Sequence, residues 1–105
     1  MKLSKNSIRK WAKGKPCTVQ IPGVCFHDSE SSVMAHATIL PPTGAIGAKT
    51  DSDILATYIA CHNCHDYMDG RRRSAGISKH DRLFFEYRAV VRTWRLIIKE
   101  MGLWL

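Results

Sequence analysis

The chain has 105 residues, 45% of them hydrophobic, which suits one small folded domain and argues against a disordered polypeptide. Sixteen lysines and arginines oppose nine aspartates and glutamates, and the resulting formal charge of +7 favours a polyanionic partner. No apolar run of about 18 residues occurs, and the N-terminus lacks the apolar core of a signal peptide, so we expect a cytoplasmic protein without membrane contact.

A short helix is predicted at the N-terminus, over residues 4–13. Ser4 can cap it, Ile8 and Trp11 share an apolar face, and Gly14 is a stop signal. The opposite face is basic, which is typical of a solvated helix but also allows phosphate contacts. Its cations are Lys5, Arg9, Lys10 and Lys13.

The pattern then changes to short β-like runs, TVQI and SSVMAHATIL, within residues 18–40. The turn-rich segment PGVCFHDSE separates them, so we predict a hairpin that Cys17 begins and whose loop holds Cys25. His36 lies in the return strand. An alternation of two places Met34 on the same side of that strand as His36.

A Pro/Gly-rich loop is predicted over residues 41–53, and it is long for so small a domain, which is typical of functional loops. Lys49 in this loop can bind a phosphate or remain solvated. The next run, ILATYIA, fits either a short helix capped by Asp51 or Ser52 or a buried strand.

The four cysteines form two groups. Cys61 and Cys64 have the C-x-x-C spacing that places two thiolates on one side of a tight turn, and Cys17 and Cys25 can complete a tetrahedral set. In a reducing compartment this grouping is more typical of metal ligands than of disulfides. A metal would also stabilise a core of limited size. We therefore predict structural zinc.

A helix is expected to begin near residues 62–68, carry His65 and end at Gly70. His65 is the candidate ligand of a second, catalytic divalent metal. His36 is the candidate general base, because neutral imidazole titrates near physiological pH. Mg²⁺ or Mn²⁺ prefers oxygen ligands. The candidate carboxylates are Asp53, Asp66 and Asp69, with Asp51 as a fallback.

Plainer interpretations of these residues exist. A histidine in a strand, such as His36, is more often a hydrogen-bonded structural residue than a catalyst. His65 can equally be a further ligand of the structural zinc. The aspartates can cap a helix or pair with the arginine cluster at 71–73. His27, His62 and His80 are expected to be surface histidines.

The C-terminal part is predicted to be one long helix, over about 79–101, that Ser78 and Asp81 begin as a capping box. Steps of three and four define its apolar stripe, formed by Leu83, Tyr87, Val90, Trp94, Ile97 and Met101. We interpret the stripe as the core face, with a dimer seam as the alternative. The opposite row of Arg88, Arg92, Arg95 and Lys99 is either solvated or in contact with nucleic acid.

The order of these motifs resembles a known family. The phrase CTVQIPGVC with Cys17 and Cys25, MAHA around His36, the loop GAIGAK, Asp53 and CHNCHDYMDGR together are similar to the YbcO-type nucleases of phages and prophages, a branch of the HNH, or ββα-metal, endonucleases. The resemblance extends from about residue 8 to residue 73. The C-terminal helix matches in character only.

This resemblance implies a small α+β, zinc-stabilised HNH-like ββα-metal core, about residues 15–73, within a single domain, 1–105, flanked by an N-terminal and a long C-terminal helix. It implies hydrolysis of DNA phosphodiesters in the bacterial host cell, with His36 at the position of the first histidine and His65 at that of the last. Mg²⁺ or Mn²⁺ would be the catalytic metal. The expected phosphate-binding residues are Lys49, Arg71, Arg72 and Arg73.

Two departures from the HNH pattern concern the metal site. His36 stands between Ala35 and Ala37, where many HNH nucleases have a metal-binding Asp or His, and the middle asparagine of the motif has no clear counterpart. Asp53 is the candidate for orienting the base. Two rival functions are a non-catalytic zinc module that binds nucleic acid and an adaptor that forms a homodimer through its last helix.

Overall fold

The computed structural model describes residues 4–37, 56–69 and 78–102. In this part of the chain three helices and one two-stranded sheet form a small α+β fold, as the sequence predicts. In chain order the elements are α1 (Lys5–Ala12), a 3₁₀ helix (Ser29–Ser31), β1 (Val33–His36), β2 (Thr57–Ala60), α2 (His62–Met68) and α3 (Lys79–Glu100).

The sheet pairs β1 and β2 in antiparallel orientation, with Val33 opposite Ala60 and His36 opposite Thr57. Ala35 points into the core whereas His36 is exposed, as the alternation along β1 predicts. All four residues of β2 are buried, because this strand lies between β1 and α3. The run ILATYIA therefore ends as a buried strand and not as a helix.

The outer edge of β2 is closed by two threonines rather than by a third strand. The Ile59 N–H donates to Thr93 Oγ1 at 2.9 Å, and the Ile59 carbonyl accepts from the Thr18 N–H at 3.0 Å and from the Thr18 hydroxyl at 2.6 Å. The two hydroxyl oxygens lie 3.2 Å apart. Because the Thr18 hydroxyl donates its one proton to the Ile59 carbonyl, the Thr93 hydroxyl is the donor to Thr18 Oγ1. Every polar backbone group of Ile59 on this edge is thus satisfied.

The predicted strand TVQI is wrong. Only Thr18 bonds to β2, and two residues later Gln20 has a φ of +52°, which turns the chain out of the extended conformation. The predicted hairpin with Cys25 in its loop is also wrong, because Cys17 and Cys25 both lie on a segment without regular structure that precedes β1.

Helix α3 begins at the predicted cap, where the Ser78 side chain accepts from the Asp81 N–H, and it ends one residue short of the predicted 101. The predicted core stripe is wrong at Tyr87, which is 57% exposed. The buried face is rotated toward polar Thr93, since that side chain is needed at the edge of β2. Its buried residues are Glu86, Ala89, Val90, Thr93 and Ile97.

The predicted N-terminal helix is confirmed as α1, with Ser4 accepting from the Ser7 N–H in a capping box. Ile8 and Ile97 form a small second core beneath it. The C-terminal ends of α1 and α3 are also connected, because Glu100 accepts hydrogen bonds from the Trp11 indole and from Lys15. Within the described ranges, none of the helices combines the length and apolar character needed to span a membrane.

Candidate metal centre and adjacent histidines

The four cysteine sulfurs converge on one point. They all lie within 4.8 Å of one another, although Cys17 and Cys25 precede β1 while Cys61 and Cys64 stand at the start of α2. The Cys25 and Cys61 sulfurs are 3.8 Å apart, far longer than the roughly 2.05 Å of a disulfide. Tetrahedral zinc with Zn–S bonds of about 2.3 Å would place its sulfurs about 3.8 Å apart. The cluster can therefore hold a metal ion such as zinc.

The loop that carries the first two sulfurs is shaped by unusual backbone angles. Gln20 and His27 both have positive φ, +52° and +55°, and the chain reverses between them through Gly23 at +76°. The Cys25 N–H bonds to the Ile21 carbonyl in this turn, and the His27 N–H points at the Cys25 sulfur at 3.4 Å. The backbone thus turns a donor toward this sulfur, and a hydrogen bond of this kind would stabilise a thiolate.

Electrostatics at the cluster favour a cation. A hydrogen bond with Cys64 lowers the pKa of Cys17 to about 4, against the effect of burial, and backbone contacts from Cys61 and the loop add to the lowering. The same hydrogen bond raises the pKa of Cys64, and burial raises that of Cys25 to about 11. Without a cation the buried cluster therefore stabilises few thiolates, whereas a divalent ion would stabilise all four.

Helix α2 separates the sulfur cluster from a row of histidines and aspartates. Its inward side buries Cys64 and Tyr67. On its other side His65 Nε2 lies 3.3 Å from Asp69 Oδ2, and one turn earlier His62 and Asp66 form a matching pair at 3.3 Å. His65 is not part of the four-sulfur group. The interpretation of His65 as a ligand of the cysteine-bound metal is therefore not supported.

His36 is exposed at the end of β1 and is not a core histidine. In the paired strand Thr57 lies opposite His36, and the next residue is Tyr58. Burial raises the pKa of Tyr58, and the carboxylates of Glu86 and Asp69 add to this rise.

Several predicted site residues lie outside the described residues. These are Lys49, Asp53 and the arginines 71–73, together with the fallback Asp51. Of the candidate carboxylates, Asp66 and Asp69 are described, and Asp69 is the one beside His65. The two His–Asp pairs were not predicted as pairs, although their spacing of four on a helix is a usable signal.

The sequence also did not predict the structural contacts of two α3 arginines. Arg88 donates to the Val19 carbonyl at 2.7 Å, and Arg92 donates to the Thr18 carbonyl and the Gln20 side chain at 3.3 Å. Their row is therefore not a purely solvated face. These arginines hold the loop that carries Cys17, a role that no local sequence pattern reveals.

Comparison with known proteins supports the resemblance to the YbcO family. The family model described as "Putative nuclease YbcO" matches residues 6–103. The chain belongs to the YbcO family. The YbcO protein of Escherichia coli (strain K12) is 39% identical over 95 residues, which cover 89% of this chain and 92% of that protein. The ybcO protein of Enterobacteria phage 82 matches with the same identity and coverage, and both are named "Putative nuclease".

The fold of this YbcO family member also has a solved counterpart. It is described as "Structure of a putative bacteriophage protein from Escherichia coli str. K-12 substr. MG1655" and is 33% identical in sequence. The two structures superpose with a TM-score of 0.67, over 90% of this chain and all of the other. The similarity therefore includes α3, which the motifs quoted above do not cover.

Proposed function

We propose that the protein is a metal-dependent DNA endonuclease of the HNH type that hydrolyses phosphodiester bonds in the cytoplasm of a bacterial host, in a phage or prophage setting. One observation carries the proposal. The elements β1, β2 and α2 follow one another in the chain, and four clustered cysteines connect the start of α2 to the loop that precedes β1. Both His36 and His65 lie outside that cluster. The nuclease names of the YbcO relatives support the reaction class.

The role proposed for the cysteines is structural. Four sulfur ligands complete the tetrahedral coordination of zinc and leave no position for water or substrate, which is typical of structural sites. Bound there, zinc would join the irregular segment before β1 to the start of α2. This supports a fixed position for α2, whose other side carries His65.

The role proposed for His36 is that of general base. Its neutral imidazole would accept a proton from the water that attacks the phosphorus atom, while the phosphorus–oxygen bond to the departing strand breaks. Exposure of His36 at the strand end supports access to a bound phosphate. Asp53 is proposed to orient this imidazole.

The second histidine is proposed to hold the catalytic cation. His65 and Asp69 offer one nitrogen and one oxygen ligand from the same side of α2, and the 3.3 Å between them supports a shared ligand site. A bound Mg²⁺ or Mn²⁺ would stabilise the negative charge that develops on the phosphate and departing oxygens. Substrate oxygens and water would complete the coordination, as is usual for Mg²⁺.

Substrate binding is proposed to rest on the basic residues around this site. Lys49 and the arginines 71–73 would contact DNA phosphates, and the charge of +7 supports a polyanionic substrate. Such contacts position the DNA without selecting its sequence.

The test is a cleavage assay on plasmid and branched DNA with Mg²⁺ or Mn²⁺. The intact protein is compared with His36→Ala and His65→Ala, and with the exposed α2 histidine variant His62→Gln as a matched control. All samples must retain zinc and the folded circular dichroism spectrum. Loss of cleavage in the first two variants and its retention in the control is the expected result.

Two other outcomes would count against the proposal. Cleavage that persists unchanged in His36→Ala and His65→Ala would place the activity at another site or in a contaminant. DNA binding without cleavage in any sample would instead favour the non-catalytic zinc module.

A further inference from the structure

A second surface, unused by the proposed reaction, runs along the outward side of α3. Phe84, Tyr87 and Val91 are 56%, 57% and 42% exposed there. Their spacing of three and four places them on one side of the helix, opposite the buried Thr93. We call these three residues and exposed Arg95, one turn further along, the outer α3 face. Exposed aromatic side chains in a row usually mark a binding surface.

Cations are interleaved with these aromatic residues. The Arg88 guanidinium lies 5.6 Å from the Phe84 ring centroid and 4.8 Å from that of Phe85, so it fixes both rings. Because Arg88 also donates to the Val19 carbonyl, the rings are anchored to the loop of the metal centre. The outer α3 face is therefore held in place at its N-terminal half.

Toward the C-terminus the face continues into a groove of about 720 Å³ between α3 and the loop at residues 16–20. Arg92, Arg95 and Lys99 line its helix side, and Gln20 lines its loop side. Among the described residues, no carboxylate pairs with these three cations. We call this the α3 groove. Phe84 and Lys99 are about 22 Å apart along the helix axis, at 1.5 Å per residue.

The charge of α3 decides between the possible occupants. The helix carries six lysines and arginines against three acidic residues. Of those acids, Glu86 is buried and Glu100 pairs with Lys15. A second copy of this chain would bring the same positive charge against itself, which disfavours a dimer through this face. A partner that carries negative charge and planar aromatic rings complements the outer α3 face.

We propose that the outer α3 face and the α3 groove bind single-stranded nucleic acid. Exposed rings can stack on bases only where those bases are unpaired, while Arg95 and Lys99 in the groove contact the phosphates. A groove of this volume is within the range of pockets that bind small ligands. The surface binds independently of cleavage and does not require His36 or His65.

The test measures binding of a fluorescently labelled thymidine 20-mer by anisotropy, in buffer without added divalent cations, using the full chain with its zinc retained. Tyr87→Ala is expected to weaken binding between about fivefold and about a hundredfold, the range for loss of one stacked base. Tyr87→Phe keeps the ring and is expected to bind like the parent protein.

The charge component is tested with two double variants of equal net charge. Arg95→Ala with Lys99→Ala is expected to reduce the slope of log affinity against log salt by about 1.4, since each lost phosphate contact on a single strand contributes about 0.7. Arg9→Ala with Lys10→Ala, on the exposed side of α1, is expected to change it much less. Equal effects of both pairs would overturn the proposal, because binding would then reflect net charge alone.

Two further results would overturn it. One is binding of a duplex of the same length as tightly as the single strand, with Tyr87→Ala having no effect. The other is concentration-dependent dimerisation that Tyr87→Ala abolishes without any change in nucleic-acid affinity, which would assign the face to a second copy of the chain.

Discussion

The imidazole of His65 and the carboxylate of Asp69 lie 3.3 Å apart on α2, one turn from each other. One nitrogen and one carboxylate oxygen at this separation can serve as neighbouring ligands of a single cation, as proposed above. Nothing else in the described part of the chain engages the side chain of Asp69 by hydrogen bond or ion pair. Both side chains are partly exposed, so a cation or substrate can reach them from solvent.

Asp69→Asn is predicted to lower the rate of DNA cleavage by about tenfold or more, because it removes an anionic oxygen ligand of the proposed cation and even the outer partners of metal ligands contribute about that much. The free energy of unfolding should change by less than about 1 kcal/mol, because the pair is partly exposed. Cleavage kinetics at several Mn²⁺ concentrations measure the effect, and weaker activation by the metal is expected. An unchanged rate would remove Asp69 from the site.

Thr93→Val is predicted to destabilise the fold by about 1–3 kcal/mol, because the buried Ile59 N–H would lose its acceptor. Thr93→Ser keeps the hydroxyl and should recover most of that loss. Urea unfolding followed by circular dichroism measures both variants. Equal stability of the valine and serine variants would show that the hydroxyl does not matter to the edge of β2.

Removal of the metal is predicted to lower the midpoint of thermal unfolding by roughly 10 °C or more, because metal binding contributes directly to folding free energy in small domains. The protein as purified should contain one zinc per chain, measured by elemental analysis. Cys64→Ser should reproduce the loss without a chelator. Full metal content in that variant, or a metal-free protein of unchanged stability, would contradict a four-sulfur site.

Glu100→Gln is predicted to destabilise the protein by less than about 1 kcal/mol, because the ion pair with Lys15 is partly exposed. The amide can still accept from the Trp11 indole. Glu100→Ala loses both bonds and should cost more. The difference between wild type and Glu100→Gln should shrink at 1 M salt in thermal unfolding, where such a pair is screened.

Local signals in the sequence predicted the helices well. Ser4 and Ser78 both cap the helices that were expected to follow them, and the C-x-x-C spacing correctly identified the paired sulfurs of Cys61 and Cys64. Such features depend on neighbours within four residues, so the sequence is sufficient to find them.

Features that depend on distant partners were predicted less well. Hydrophobicity alone places the α3 stripe through Tyr87, because it does not show that Thr93 is required at Ile59, 34 residues earlier. The strand expected near Thr18 fails for a related reason, since the positive φ of Gln20 is stabilised by contacts with α3. The sites assigned to Asp53 and Lys49 stay predictions.

The closure of β2 by Thr93 has a consequence for synthesis of the protein. The ribosome makes the hairpin and α2 before it makes residue 93, so the Ile59 N–H has no acceptor on its outer side until most of α3 has emerged. The sheet that carries His36 therefore stays open at this edge until α3 has docked. A chain released before residue 93 would carry both histidines in sequence but would lack the Thr93 hydroxyl that closes the edge of β2.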